Sequence, residues 1–197
     1  MGPEVTLENL RRAIRLSSNL DESSLSKVTK LFSAFSLQTN DYLLSAGEYP
    51  LYLAFVEKGI IVSYYTNLQE YRVIRGIYIP GVFVLPLPSF IYRKPSFMTF
   101  QAITGTFILR AKYADLQKLE KTNQTIHVFL KALIDQEWII NRELHDAGLH
   151  VYNHQTRYGL FHNKYKQYIS QIPAEIIASY LNIPVKQLEK IQHQIGK

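Results

Sequence analysis

Val185, Lys186, Gln187, Glu189, Lys190 and His193 fall on one side of a short C-terminal segment whose other side is Leu188 and Ile191. These residue types suit the grooves of a duplex. A lysine ammonium such as that of Lys190 reaches a guanine edge or a phosphate, without the planar two-pronged grip of arginine. A glutamate such as Glu189 repels phosphate but accepts from a cytosine amino group, and Val185 offers only apolar contact, for instance to a thymine methyl. Lys186, Gln187 and His193 are further outward-facing candidates. Arg157, Lys164 and Lys166, upstream, are candidates for phosphate contact, which makes affinity fall steeply with salt.

Such side chains work only if a helix is held outward and supported from behind. Pro173 suits the first turn of a helix, where a missing N–H costs nothing. Ile177, Ala178 and Leu181 give that helix a compact apolar face with a small residue at its centre. Asn182 falls where the chain must reverse, and asparagine tolerates a left-handed backbone. Pro184 opens a second helix buried through Leu188 and Ile191. The small Ala178 lets the two helices cross closely, which is the helix-turn-helix arrangement that presents one helix to a major groove. Tyr158, Phe161, Tyr165 and Tyr168, spaced three, four and three apart, have the pattern of a base-stacking platform; the favoured reading is the buried face of a supporting helix.

The formal net charge of +6 is unevenly spread. From Val151 onward there are six Lys or Arg against two Glu, so a basic C-terminal quarter follows a near-neutral body, and a polyanion partner is expected for that quarter alone. The absence of cysteine excludes disulfides, thiolate metal sites and cysteine nucleophiles. No apolar run approaches membrane-spanning length and no secretion signal is present, so a cytoplasmic protein with no membrane partner is expected. No nucleophile–base–orienter set, glycine-rich phosphate loop or zinc-protease motif occurs, and an enzyme is not expected. His145, Asp146, His150 and His154 are close in sequence, but the interval of five between His145 and His150 does not stack two ligands on one helical face, and no metal site is expected.

Three textures divide the chain. Leu7, Leu10 and Ile14 recur at helical spacing, and Asp21 caps a second helix carrying Leu25, Val28, Leu31, Phe32 and Phe35. From Leu37 to about Ala111, short runs rich in Tyr, Phe, Val and Ile are separated by turn residues, including Gly47, Gly59, Pro80-Gly81 and Gly105. This predicts a β-sandwich or barrel. The prolines of Pro86–Pro95 predict a loop. From Asn123 to about Ala147 there is no Gly or Pro. Ile126, Leu130, Leu133, Ile140, Leu144 and Ala147 form a coiled-coil-like seam with Glu137 in one core slot, and Phe129, Ile134 and Trp138 form a second stripe. One long helix ending at Gly148 is expected, packed on its own barrel and on a second copy of itself. The alternative is one broad buried face within a monomer.

The order of these pieces resembles the Crp/Fnr family, the cyclic-AMP receptor and Fnr regulators of bacteria. The residues that carry the resemblance are Gly47-Glu48, the run Phe55–Tyr65, Pro80-Gly81, Ser89-Phe90, Pro95-Ser96, Arg157-Tyr158 and Ile177–Leu181. The Ser-Phe/Pro-Ser loop, and a chain stopping beyond the last helix without a wing hairpin, look like the branch common in the Bacteroidetes. The resemblance implies an α+β fold: a double-stranded β-helix (a cyclic-nucleotide-binding-like β-roll) with flanking helices, a long dimerisation helix and a C-terminal helix-turn-helix. The expected divisions are 1–122, 123–150 and 151–197. It further implies a homodimeric transcription regulator binding a palindromic site on double-stranded DNA, with half-sites one helical turn (about 34 Å) apart, RNA polymerase as a further partner, and a small-molecule effector acting through the roll.

One departure narrows that effector. Family members that bind cyclic nucleotide hold the ribose with a Gly-Glu pair and the phosphate with an Arg before small residues. Between Gly81 and Gln101 this chain has no acidic residue, and its only cations there are Arg93 and Lys94, with Pro95 following. Cyclic AMP is therefore not the expected ligand, and no cofactor is expected. Ser89, Phe90, Arg93 and Lys94 remain the loop residues to meet another molecule, although Arg93 also reads as an ordinary solvent-facing charge. A ligand-sensing or protein-interaction module with a vestigial helix-turn-helix is the alternative function.

Overall fold

In a computed structural model of the chain, residues 7–136 and 143–195 are described. The sequence runs through α1 (Glu8–Ser17) and α2 (Glu22–Thr29) into strands β1 (Ser33–Leu37), β2 (Tyr42–Leu44), β3 (Tyr52–Lys58), β4 (Ile61–Thr66), β5 (Arg72–Tyr78) and β6 (Phe83–Val84). A short helix α3 (Leu87–Tyr92), β7 (Thr99–Ala102) and β8 (Thr106–Lys112) follow, then α4 (Tyr113–Thr122) and α5 (Gln124–Ile134). Among the described residues the remaining α-helices are α6 (Glu143–Val151), α7 (His154–Tyr165), α8 (Ala174–Leu181) and α9 (Val185–Ile195), with a 3-10 turn at Ile169–Gln171 between α7 and α8.

The strands form two antiparallel sheets, ordered β1-β8-β3-β6 and β2-β7-β4-β5. Because successive side chains of a strand point to opposite faces, each sheet supplies one row to the space between them and one row outward. Ala54, Val56, Val84 and Ile108 from the first sheet meet Leu44, Ile61, Phe100 and Ala102 from the second, and fill the interior. The outward row of the first sheet, Leu53, Phe55, Phe83, Leu109 and Ala111, packs on α1, α2, α4 and α5. The outward row of the second, Val62, Tyr64, Ile74 and Ile77, is covered by the C-terminal helices. Gly59 shapes the β3–β4 turn at φ +86°, and a Cβ there would lie 2.6 Å from the Gly105 carbonyl oxygen, so only glycine fits.

Several expectations change. The Pro86–Pro95 segment is not simply a loop: α3 forms in it, with Pro88 in its first turn, where proline is tolerated. Phe35 belongs to β1, since α2 ends at Thr29. Gly148 does not end its helix, because α6 continues to Val151. The two stripes on α5 do not face different bodies: Ile126, Phe129, Leu130 and Leu133 all enter the chain's own core, with Ile134 packed beside them. That is one broad buried face. Glu137, Trp138 and Ile140 lie outside the described residues.

Candidate nucleic-acid interface

Helices α8 and α9 are joined by a tight reversal built as the sequence suggests. Asn182 adopts the left-handed conformation at φ 52°, its amide donates back to the end of α8, and the Ile183 amide donates 2.9 Å to the Ala178 carbonyl. Ile183 is buried beneath this cap, and Pro184 accepts from the Gln187 and Leu188 amides to start α9. Leu188 and Ile191 have no exposed surface and lie against Ile177, Ala178 and Leu181.

This packing decides what α9 presents. Val185, Lys186, Glu189, Lys190 and His193 are exposed and Gln187 is half-buried. The proposed reading residues are thus brought onto one helix surface, with the first turn of α9 carrying Val185, Lys186 and Gln187. Lys164 and Lys166, at the end of α7, are exposed as well, with the Lys164 ammonium 5.3 Å from the Tyr165 ring centroid.

Arg157 has a different place. Its Nε donates 2.9 Å to the Tyr152 carbonyl, and its Nη1 donates 2.8 Å and 3.3 Å to the carbonyls of Leu181 and Asn182. A half-buried guanidinium held this way satisfies the C-terminal carbonyls of α8 and complements the negative end of its dipole. It fixes the angle between α7 and the α8–α9 pair.

Tyr158, Phe161 and Tyr165 are buried and Tyr168 is partly so, which makes this face of α7 a support and not an open stacking surface. Phe161 and Tyr165 rings are 4.6 Å apart, and Tyr180 of α8 packs on both. The α6 histidine His145 stacks on Tyr180 at 4.2 Å, and Asp146 accepts from Arg75 of β5 at 3.0 Å.

The loop residues assigned to a ligand do not converge on one cavity. Ser89 and Phe90 are buried, with the Phe90 ring 4.3 Å from that of Tyr113, whereas Arg93 and Lys94 are exposed. Arg93 takes a left-handed conformation at the end of α3. A cavity of about 350 Å³ does open at the edge of the sandwich, lined by Leu44, Glu48, Tyr52, Val84, Pro86 and Arg110 among others. Arg110 is clamped there, its guanidinium carbon 3.5 Å over the Phe35 ring and 4.4 Å over Tyr52. In the sequence Glu48 stands out only within Gly47-Glu48, a mark of the family resemblance, and Arg110 not at all, because the two lie 62 positions apart and nothing local joins them.

Among the described residues, no helix is long and apolar enough to cross a membrane. No protein-family model matches the chain, and no curated protein matches it in sequence. Solved structures do. FixK2 from Bradyrhizobium japonicum superposes with a TM-score of 0.75 at 20% identity, over 84% of each chain. The c-di-GMP-responsive global regulator CLP of Xanthomonas campestris gives 0.65 at 13% identity, over 89% of this chain and 92% of that one. The catabolite activator protein of Thermus thermophilus gives 0.55 at 14%, over 90% and 84%. At such identities the likeness is one of architecture: two antiparallel sheets flanked by helices make this the cyclic-nucleotide-binding fold.

Proposed function

We propose that this chain is a dimeric, DNA-binding transcription regulator of the Crp/Fnr type, with α8 and α9 as its helix-turn-helix and α9 as the recognition helix. The observation that carries the reading is the division of α9 into two faces. Leu188 and Ile191 are fully buried, while Lys186, Glu189, Lys190 and His193 all face solvent. A helix anchored from behind and polar in front is what entry into a major groove requires. The architectural neighbours support the same use: one is a c-di-GMP-responsive global regulator that links cell-cell signaling to virulence gene expression and another is a catabolite activator protein.

In this reading residues 1–122 form the control domain, 123–150 the connecting and pairing segment, and 151–197 the DNA-reading domain. Ala147 and Val151 are exposed, four positions apart on α6, and offer apolar surface for pairing with a second copy, where the seam residues of α5 are taken up by the chain's own core. A two-fold dimer then reads a palindrome with half-sites about 34 Å apart. Lys164 and Lys166 contact phosphates, and RNA polymerase is the further partner. The effector is a small molecule other than cyclic AMP, since the segment between Gly81 and Gln101, which lines the sandwich cavity through Val84 and Pro86, carries no carboxylate, and Glu48 reaches the cavity from a different loop. Ser89, Phe90, Arg93 and Lys94 keep their assignment as loop residues that meet it, a contact that requires α3 and its flanks to rearrange around that cavity.

Selection from random-sequence duplexes with the purified chain tests the reading. A palindrome should be enriched, and Lys190→Ala should weaken binding to it. No enrichment would leave a ligand-sensing or protein-interaction module, and full binding by Lys190→Ala would remove that lysine from the interface.

A further inference from the structure

A second groove, of about 330 Å³, lies outside the sandwich, where α1 crosses the end of β3 and the Pro80–Val82 turn. Its volume falls in the ~300–1,000 Å³ range of small-molecule sites. Phe83, Leu85 and Leu133 supply an apolar wall, and Leu16 stands on the rim with 83% of its surface exposed.

Two opposite charges line the same groove. Glu57 accepts 2.9 Å from the Asn9 side-chain amide through Oε2, but its Oε1 is shielded from solvent and has no donor. A carboxylate oxygen removed from water without a donor costs free energy, and the protein leaves that cost in place at a concave surface. Arg12 is the cation. Its helix neighbours Arg11 and Arg15 both engage Glu22, whereas among the described residues Arg12 and Glu57 form no ion pair with each other. Unlike charges that face one groove yet stand too far apart to pair leave room for a molecule that carries both complements.

We infer that this groove binds a small zwitterion with an apolar body, of the chemical class of the apolar α-amino acids. The ammonium donates to the Glu57 carboxylate, a turn of the side chain bringing the shielded Oε1 to the groove surface, the carboxylate meets the Arg12 guanidinium, and the side chain lies against Phe83 and Leu133. Neither group alone selects the class. An amine would be repelled by Arg12 and a carboxylate by Glu57, so only the pair is complemented. Tyr168, from the segment that follows α7, also lines the groove. A bound molecule would therefore touch the sandwich, α1, α5 and the C-terminal segment together. The site stands apart from the cavity at the sandwich edge and is independent of the DNA-binding reading.

Isothermal titration of the full chain with L-leucine tests it, with 4-methylpentanoate and 3-methylbutylammonium as the halves that lack the ammonium and the carboxylate. The other apolar L-amino acids, from alanine to phenylalanine, complete the panel. Binding by at least one amino acid is expected, with the corresponding half-molecules weaker by about tenfold or more, the loss of one charge-assisted hydrogen bond. Glu57→Gln and Arg12→Ala should each weaken it by a similar factor. Arg12 is exposed, so its variant gives a reading even where circular dichroism shows Glu57→Gln unfolded. The inference is overturned if no amino acid of the panel binds, if 4-methylpentanoate binds as tightly as L-leucine, or if a folded variant binds unchanged.

Discussion

Ser179 and Ile74 stand 105 positions apart, yet the Ser179 hydroxyl oxygen accepts a 3.0 Å hydrogen bond from the Ile74 amide. The same hydroxyl donates 3.0 Å to the Arg72 carbonyl. Strand β5 is one of the two edges of its sheet, and an edge strand carries unpaired N–H and C=O groups that must be covered. One side chain of α8 takes the place of the next strand at that point, and so registers the C-terminal helices on the sandwich. Ser179→Ala leaves the buried Ile74 amide without its partner, at a cost of about 1–3 kcal/mol. Urea unfolding should show the loss, and amide exchange should rise at Ile74 before it rises in β3.

Arg157 is expected to act on structure before it acts on DNA. With its guanidinium on the carbonyls of Tyr152, Leu181 and Asn182, Arg157→Ala removes the partners of the α8 C-terminus. A lower melting temperature without DNA is the expected result. An Arg157→Ala protein that melts like the parent but binds DNA less well would return this residue to phosphate contact.

Leu188 carries the recognition helix. It has no exposed surface, and Leu188→Ala should cost about 2–5 kcal/mol through lost burial and the cavity left behind. Glu189→Ala, one position on and exposed, should leave stability within about 0.5 kcal/mol of the parent. Chemical denaturation of the two variants measures the contrast, which depends on α9 being packed in the orientation described.

The DNA-binding reading carries a salt signature. Each lysine lost from a phosphate contact should lower the slope of log affinity against log salt by roughly one. Lys166→Ala is expected to do this with base preference unchanged, whereas Lys186→Ala should also relax preference at one position. Binding measured across a salt series separates the two roles.

Acid should weaken the N-terminal helices through Asp21. The Ser24 backbone amide, with the Ser24 hydroxyl, donates to its carboxylate and holds its pKa below the ordinary 3.8. A depressed folded-state pKa contributes stability that is complete above the unfolded value and is lost as pH falls through the folded one. Asp21→Asn keeps a capping oxygen without the titration, so its unfolding midpoint should fall less between neutral pH and pH near 3. At the other extreme, burial raises the pKa of Tyr64 and Tyr113. Their contribution is complete below the ordinary value near 10.0 and is lost as pH rises through the raised one, so Tyr64→Phe should blunt alkaline unfolding.

Local chemistry was readable wherever cause and effect lie within a few residues. Asn182 adopts a left-handed turn because Ala178 and Ile183 close a cap around it, and Leu188 and Ile191 fall inward because helical spacing places them together. The run of aromatic and branched residues in β3, set off by Gly59, likewise announced a strand, which is buried on both faces. Proline count misled at α3, because a proline in the first turn does not stop a helix. On α5, periodicity revealed two apolar stripes but not their destination, since the same residues satisfy a partner helix or the chain's own sheet.

What residue order alone determined about this protein is therefore the set of short-range elements and the polar face offered by α9. The tertiary structure decided the rest: that the C-terminal helices lie on the second sheet through Ser179, that Arg157 is spent on carbonyls, and that Glu57 and Arg12 share a groove. Each of these joins groups distant in sequence, and such pairings depend on which apolar faces meet when the chain closes, a property of the assembled whole that no local pattern encodes.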